Sequence, residues 1–205
     1  MNFLAHLYLS DGTPDSMFGN MLADCVKGRA VEQLRPPLRR AILEHRRVDA
    51  FTDKHPAFRR SANRIRPRWG KYSAVLMDVF YDHFLAAEWH AYHDTPLRIY
   101  INGVYMCYRE QRAQLPVEMT FAMDRLIASD RLMSYTTVEG IGAALEKMSL
   151  LFRRPTVLAP AAEDLRLQHA ALREDFREFF PGLIAYVDEL RRSDDSPESS
   201  SVLSA

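Results

Sequence analysis

Apolar positions along the chain recur at helical spacing, and Pro and Gly cut the pattern into segments. Residues 2–9 are mostly apolar and read as a short helix or a buried turn. The run Asp11-Gly12-Thr13-Pro14-Asp15 has turn chemistry. Residues 15–27 then read as a helix capped by Asp15 or Ser16, with Gly28 past its end. Pro36-Pro37 breaks the chain, and Pro37 can sit in the first turn of a helix to about Phe51. Pro56 opens a segment that Pro67 and Gly70 end, and residues 73–92 form a long helical run. Pro96 opens the next helix, Pro116 separates it from 117–132, and Thr136 or Thr137 caps a helix over 138–150. Residues 161–192 read as two helices divided at Pro181-Gly182. No stretch alternates as a strand would, and no internal repeat is present. The pattern predicts an all-α, single-domain fold over 1–192. The Ser-rich, acidic stretch 193–205 lacks periodicity and is expected to be a disordered tail.

Composition narrows the function classes. A chain of 205 residues, 47% hydrophobic, has material for one core, and no run approaches the 18 apolar residues of a membrane span. The N-terminus lacks the basic region and small-residue cleavage site of a secretory signal, so a cytoplasmic protein is expected. Cys25 and Cys107 are too few and too far apart for a disulfide framework or a thiolate zinc site. The formal net charge is zero, which argues against a nucleic-acid partner. Yet residues 27–71 hold 14 Lys and Arg against four Asp and Glu. Such a block can steer an anionic partner, or be neutralised by acidic helices elsewhere in the chain.

The chemistry-bearing residues also concentrate early. There is no GxSxG, P-loop, GxGxxG or HExxH motif. His45 and Asp49 stand at i and i+4, and Asp53 continues their row. Asp78 and Asp82 repeat the spacing, with His83 adjacent. Asp24 and His6 lie in apolar stretches. Each alone has an ordinary structural reading: a core histidine, a side-chain hydrogen bond, a pair with Arg. Together, Asp and His on three or four helices form the usual donor set for a divalent metal between packed helices. Manganese, iron, magnesium and zinc all suit such ligands.

The same residues carry a family likeness. Met1-Asn2-Phe3-Leu4-Ala5-His6, Gly19-Asn20 with Asp24 and Lys27-Gly28, His45-Arg46 with Asp49, Phe51-Thr52-Asp53 with His55-Pro56, and Asp78-Val79-Phe80-Tyr81-Asp82-His83-Phe84-Leu85 occur in this order. The chain thereby resembles the bacterial acyl carrier protein phosphodiesterases, an atypical branch of the all-α HD phosphohydrolases. The resemblance implies a helical bundle of the HD-phosphohydrolase type. It also implies removal of 4′-phosphopantetheine from holo-acyl carrier protein with a divalent metal, typically Mn²⁺, with Mg²⁺, Fe²⁺ or Co²⁺ as substitutes. HD enzymes usually show a His-Asp doublet, whereas the order here is Asp82-His83. Rival readings are an HD-like hydrolase of a nucleotide and a noncatalytic helical adaptor.

These readings converge on definite expectations. Asp24, Asp82 and His83 are the first metal candidates, with Asp78 and His6 next, because an unpaired carboxylate in an apolar context is costly. His45 is expected as general acid on the serine leaving group, held by Asp49, with His6 beside them. Arg59, Arg60, Arg64, Arg66 and Arg68 are expected to dock the acidic carrier protein, Arg60 and Arg64 sharing one helix face.

Overall fold

Proline opens most of the helices in the computed structural model, which describes residues 1–23, 26, 28–150, 152 and 156–194. The helices are α1 (Phe3–Tyr8), α2 (Pro14–Leu22), α3 (Pro36–Lys54), α4 (Pro56–Trp69), α5 (Ser73–Ala87) and α6 (Leu97–Gln111). They continue as α7 (Val117–Ala128), α8 (Arg131–Ser134), α9 (Val138–Ser149), α10 (Ala161–Leu167) and α11 (His169–Asp194). Among the described residues there is no strand, so the all-α expectation holds.

Local chemistry explains most boundaries. Pro14, Pro36 and Pro56 sit in first turns, where a missing N–H costs nothing. Thr13, not Asp15 or Ser16, caps α2 by accepting from the Ser16 N–H. Thr137 caps α9 through the Gly140 N–H, as its position predicts. Several expected boundaries move: α2 ends at Leu22 rather than near residue 27, and α5 ends at Ala87 rather than at Tyr92. Helix α4 runs through Pro67 to Trp69, its last turn held by Arg68 and Trp69, which both donate to Asp164. Helix α11 runs straight through Pro181-Gly182. Phe176, Phe179, Phe180, Leu183 and Val187 are buried along its inner face. At about 1.5–3 kcal/mol each, their burial outweighs the ~3 kcal/mol of an internal proline. Helix α11 also continues through Ser193 and Asp194, and Asp194 pairs with Arg47 at 3.0 Å. The remainder of the expected tail, 195–205, lies outside the described residues.

Helix α5 is the centre of the fold. Leu76, Met77 and every residue from Val79 to Ala86 are buried. Helices α1, α4, α9 and α11 pack around it, while α2 packs on α3 and α1. Gly19 permits the close approach of α2 to α3: a Cβ there would stand 2.4 Å from the Ala41 Cβ and 2.8 Å from the Leu38 oxygen. This arrangement brings the N-terminal helix, the middle of α3 and the outer edge of α5 to one place.

Candidate metal centre

Helix α3 presents His45 and Asp49 one turn apart, and α1 brings His6 against them. The His6 and His45 rings stack with centroids 3.7 Å apart and planes at 16°. Both turn Nε2 to the same carboxylate: His6 to Asp49 Oδ1 at 3.2 Å, His45 to Asp49 Oδ2 at 3.1 Å. The two rings are buried, while the Asp49 side chain is 39% exposed, so solvent reaches the cluster past Asp49. The Met1 amino group lies on the other side, 3.2 Å from Asp49 Oδ1 and 2.9 Å from Asp78 Oδ1.

Ionisation states follow from these contacts. Burial, aided by the neighbouring His45, pushes the His6 imidazole down to about 3, so it is neutral at pH 7. Burial alone would raise Asp49, but hydrogen bonds from His45 and His6 outweigh it and hold the carboxyl well below the usual range. Burial raises Asp78 despite the adjacent ammonium. Burial also works against the Met1 ammonium, yet Asp78 and Asp49 hold it charged, its pKa raised to about 11.

One donor atom from each of His6, His45 and Asp49 lies within 4.8 Å of the others. A neutral imidazole and an ionised carboxylate are the forms that bind metals. Mixed nitrogen and oxygen donors suit Mn²⁺, Fe²⁺ or Zn²⁺, and the ammonium drawn between Asp49 and Asp78 marks the place as attractive to a cation. On the chemistry of its donors the cluster fits a divalent metal.

The other expected site residues are distributed differently. Asp82 is fully buried beneath α1, where its carboxylate accepts the Leu4 N–H at 2.7 Å and the Ala5 N–H at 3.2 Å. It thus caps α1 from another helix, since Asn2 at the cap position makes no side-chain cap bond. Burial pushes its carboxyl up to about 7 against those two donors. His83, one residue on, points elsewhere. Its Nδ1 faces the Tyr135 carbonyl at 2.8 Å and its Nε2 faces His169 Nε2 at 3.4 Å. Asp82 and His83 therefore do not converge as a metal pair. Asp24 lies outside the described residues.

The arginine row is also differently placed. Arg60 and Arg64 do share a face, but α11 covers it: both donate to Asp175, and Arg60 also reaches Glu178. Arg68 is bound to Asp164. Arg59 and Arg66 are exposed, with no carboxylate partner among the described residues. Arg46, beside His45 on α3, is exposed and donates to the Val26 carbonyl at 3.2 Å. The Met1 amino group and His169 did not emerge from the sequence, because no spacing pattern links them to their distant partners.

A protein-family model described as acyl carrier protein phosphodiesterase matches residues 1–183. The acyl carrier protein phosphodiesterase of Escherichia coli O157:H7 (strain EC4115 / EHEC) is 32% identical over 191 residues, covering 90% of this chain and 96% of its own. The proteins of that name from Salmonella agona (strain SL483) and Pectobacterium atrosepticum are 30% and 29% identical over 186 residues, with the same coverage. No solved structure matches.

Proposed function

The chain belongs to the acyl carrier protein phosphodiesterase family, and from that premise we propose that it hydrolyses the phosphodiester joining 4′-phosphopantetheine to a serine of holo-acyl carrier protein. The products are the apo protein and free 4′-phosphopantetheine. The reaction is cytoplasmic and uses a divalent cation, Mn²⁺ in the first place, held by His6, His45 and Asp49. The observation that carries this reading is the convergence of those three side chains from α1 and α3 on one partly open point.

Hydrolysis requires that water attack phosphorus while the phosphorus–serine oxygen bond breaks. The water loses a proton and the serine oxygen gains one. A bound divalent metal supplies charge neutralisation for the phosphoryl oxygens and acidifies water. The protein's own residues do the rest. His6 and His45 present nitrogen donors from a dry wall, and Asp49 presents oxygen toward solvent, so the phosphodiester enters from the Asp49 side. Asp78, only partly exposed and raised by burial, is the carboxylate at hand to take the proton from the attacking water and pass it to the leaving serine oxygen. His45 was expected as general acid. Its stacking on neutral His6 and its 3.1 Å approach to ionised Asp49 favour the role of donor instead.

The partner's approach follows from which cations are left open. Arg60, Arg64 and Arg68 are neutralised within the fold. Arg46 stands one residue from His45 with no carboxylate partner among the described residues. With the exposed Arg59 and Arg66, it is a cation open to acidic groups around the modified serine, and of the three it is the one next in sequence to His45.

Incubating the purified protein with holo-acyl carrier protein and Mn²⁺, and reading intact mass, tests the activity. Loss of the phosphopantetheine mass is the expected result. Turnover confined to nucleotides, or none on any phosphodiester, contradicts the reading.

A further inference from the structure

A second pair of imidazoles lies apart from this cluster. His83 is buried in the middle of α5, and His169 is the first, half-buried residue of α11. Their Nε2 atoms face each other at 3.4 Å, with the rings at 73°. The Tyr135 carbonyl is only an acceptor, so in the neutral ring His83 Nδ1 carries the proton and donates to it at 2.8 Å. His83 Nε2 is then a bare lone pair aimed at His169. A carbonyl behind one imidazole nitrogen is the usual support of a ligand nitrogen on the other side. Phe84 lies against both rings, at 5.2 Å from His83 and 5.0 Å from His169, and fixes their orientation.

We propose that His83 and His169 form a second metal site, taking a borderline transition-metal dication of the Zn²⁺ class, with water in the remaining positions. Two nitrogens bound to one tetrahedral zinc at ~2.0–2.1 Å stand about 3.3–3.4 Å apart. The observed 3.4 Å matches that bite and is longer than the ~3.0 Å of a good hydrogen bond from nitrogen. Burial holds the His83 imidazole below the usual histidine range, against the weaker pull of the Glu139 and Glu88 carboxylates. A metal here would clip the start of α11 to α5, beside the contacts that Arg173 and Arg177 of α11 already make with Glu88. This site does not depend on the phosphodiesterase reading.

The test is a zinc count on protein stripped with chelator, comparing wild type, His169→Ala and His6→Ala by calorimetric titration with ZnCl₂. His169→Ala is expected to bind one zinc fewer than wild type and to lose the zinc-dependent part of its rise in Tm. His6→Ala is expected to keep the equivalent that depends on His169, which separates this site from the first cluster. His169→Gln, which keeps a polar side chain, serves as the second variant should alanine loosen the helix start. Equal zinc stoichiometry in wild type and either His169 variant overturns the proposal.

Discussion

Replacing Asp82 separates a metal ligand from a residue that positions one. Helix α1 has six residues, too few to persist alone, and it carries His6. Its start is secured by the two N–H groups that Asp82 accepts, at 2.7 and 3.2 Å, in a place closed to solvent. Asp82→Ala leaves both N–H groups without a partner. At about 1–3 kcal/mol each, the loss is about 2–6 kcal/mol, reduced by relief from burying a carboxyl group. Asp82→Asn still accepts one N–H but turns its own amide hydrogens toward the other, for a loss of about 1–3 kcal/mol. Urea unfolding gives the stability of each variant, and Mn²⁺ titration of chelator-stripped protein gives metal affinity. Asp82→Asn is expected to be less stable than wild type yet to retain much of its Mn²⁺ binding. His6→Ala should lose most of the binding with a smaller change in stability. If Asp82→Asn proves as stable as wild type and as metal-poor as His6→Ala, Asp82 is itself a ligand and the positioning argument fails.

Further outcomes follow from the same geometry. Arg46→Glu should raise KM for holo-acyl carrier protein far more than it lowers kcat, and lose the salt dependence of KM, because exposed charges are screened. Arg60→Glu should instead lower Tm, since it sets a third carboxylate against Asp175 and Glu178; steady-state kinetics and thermal melts distinguish the two. Gly19→Ala should cost about 1–3 kcal/mol in chemical unfolding, because the added methyl meets backbone and Ala41 on α3. Burial would raise Glu88, but hydrogen bonds from Arg177 and Arg173 outweigh it and lower its pKa from 4.5. Its contribution to stability is therefore present above about pH 4.5 and lost as pH falls through the lowered value. Glu88→Gln should flatten that acid limb, read by unfolding at pH 3 to 6.

Much of the fold was legible because its punctuation is chemical. Pro14, Pro36, Pro56, Pro96 and Pro116 all stand at or beside helix starts, and Thr137 caps where the pattern places it. Pro67 and Pro181 misled because tertiary contacts, the Asp164 bonds in one case and the apolar face of α11 in the other, outweigh a local break. In the candidate site, the His45–Asp49 pair was readable from helical spacing alone. The place of His6 against it depends on how α1 packs, which no periodicity reveals. Asp82 was rightly read as a buried carboxylate in need of a partner, but the partner is the backbone of α1 rather than a cation. The Arg60–Arg64 pair on α4 shares one face as its spacing predicts, while the carboxylates that neutralise it lie more than 100 residues away on α11.

In the proposed mechanism, His6, His45 and Asp49 hold the metal on which turnover depends. The most direct test is electron paramagnetic resonance of Mn²⁺ titrated into stripped wild type and Asp49→Ala, with holo-acyl carrier protein turnover followed by intact mass in the same samples. Wild type is expected to take up Mn²⁺ and recover turnover in proportion, while Asp49→Ala, folded by circular dichroism, is expected to do neither. Undiminished Mn²⁺ binding and turnover in Asp49→Ala would contradict this mechanism.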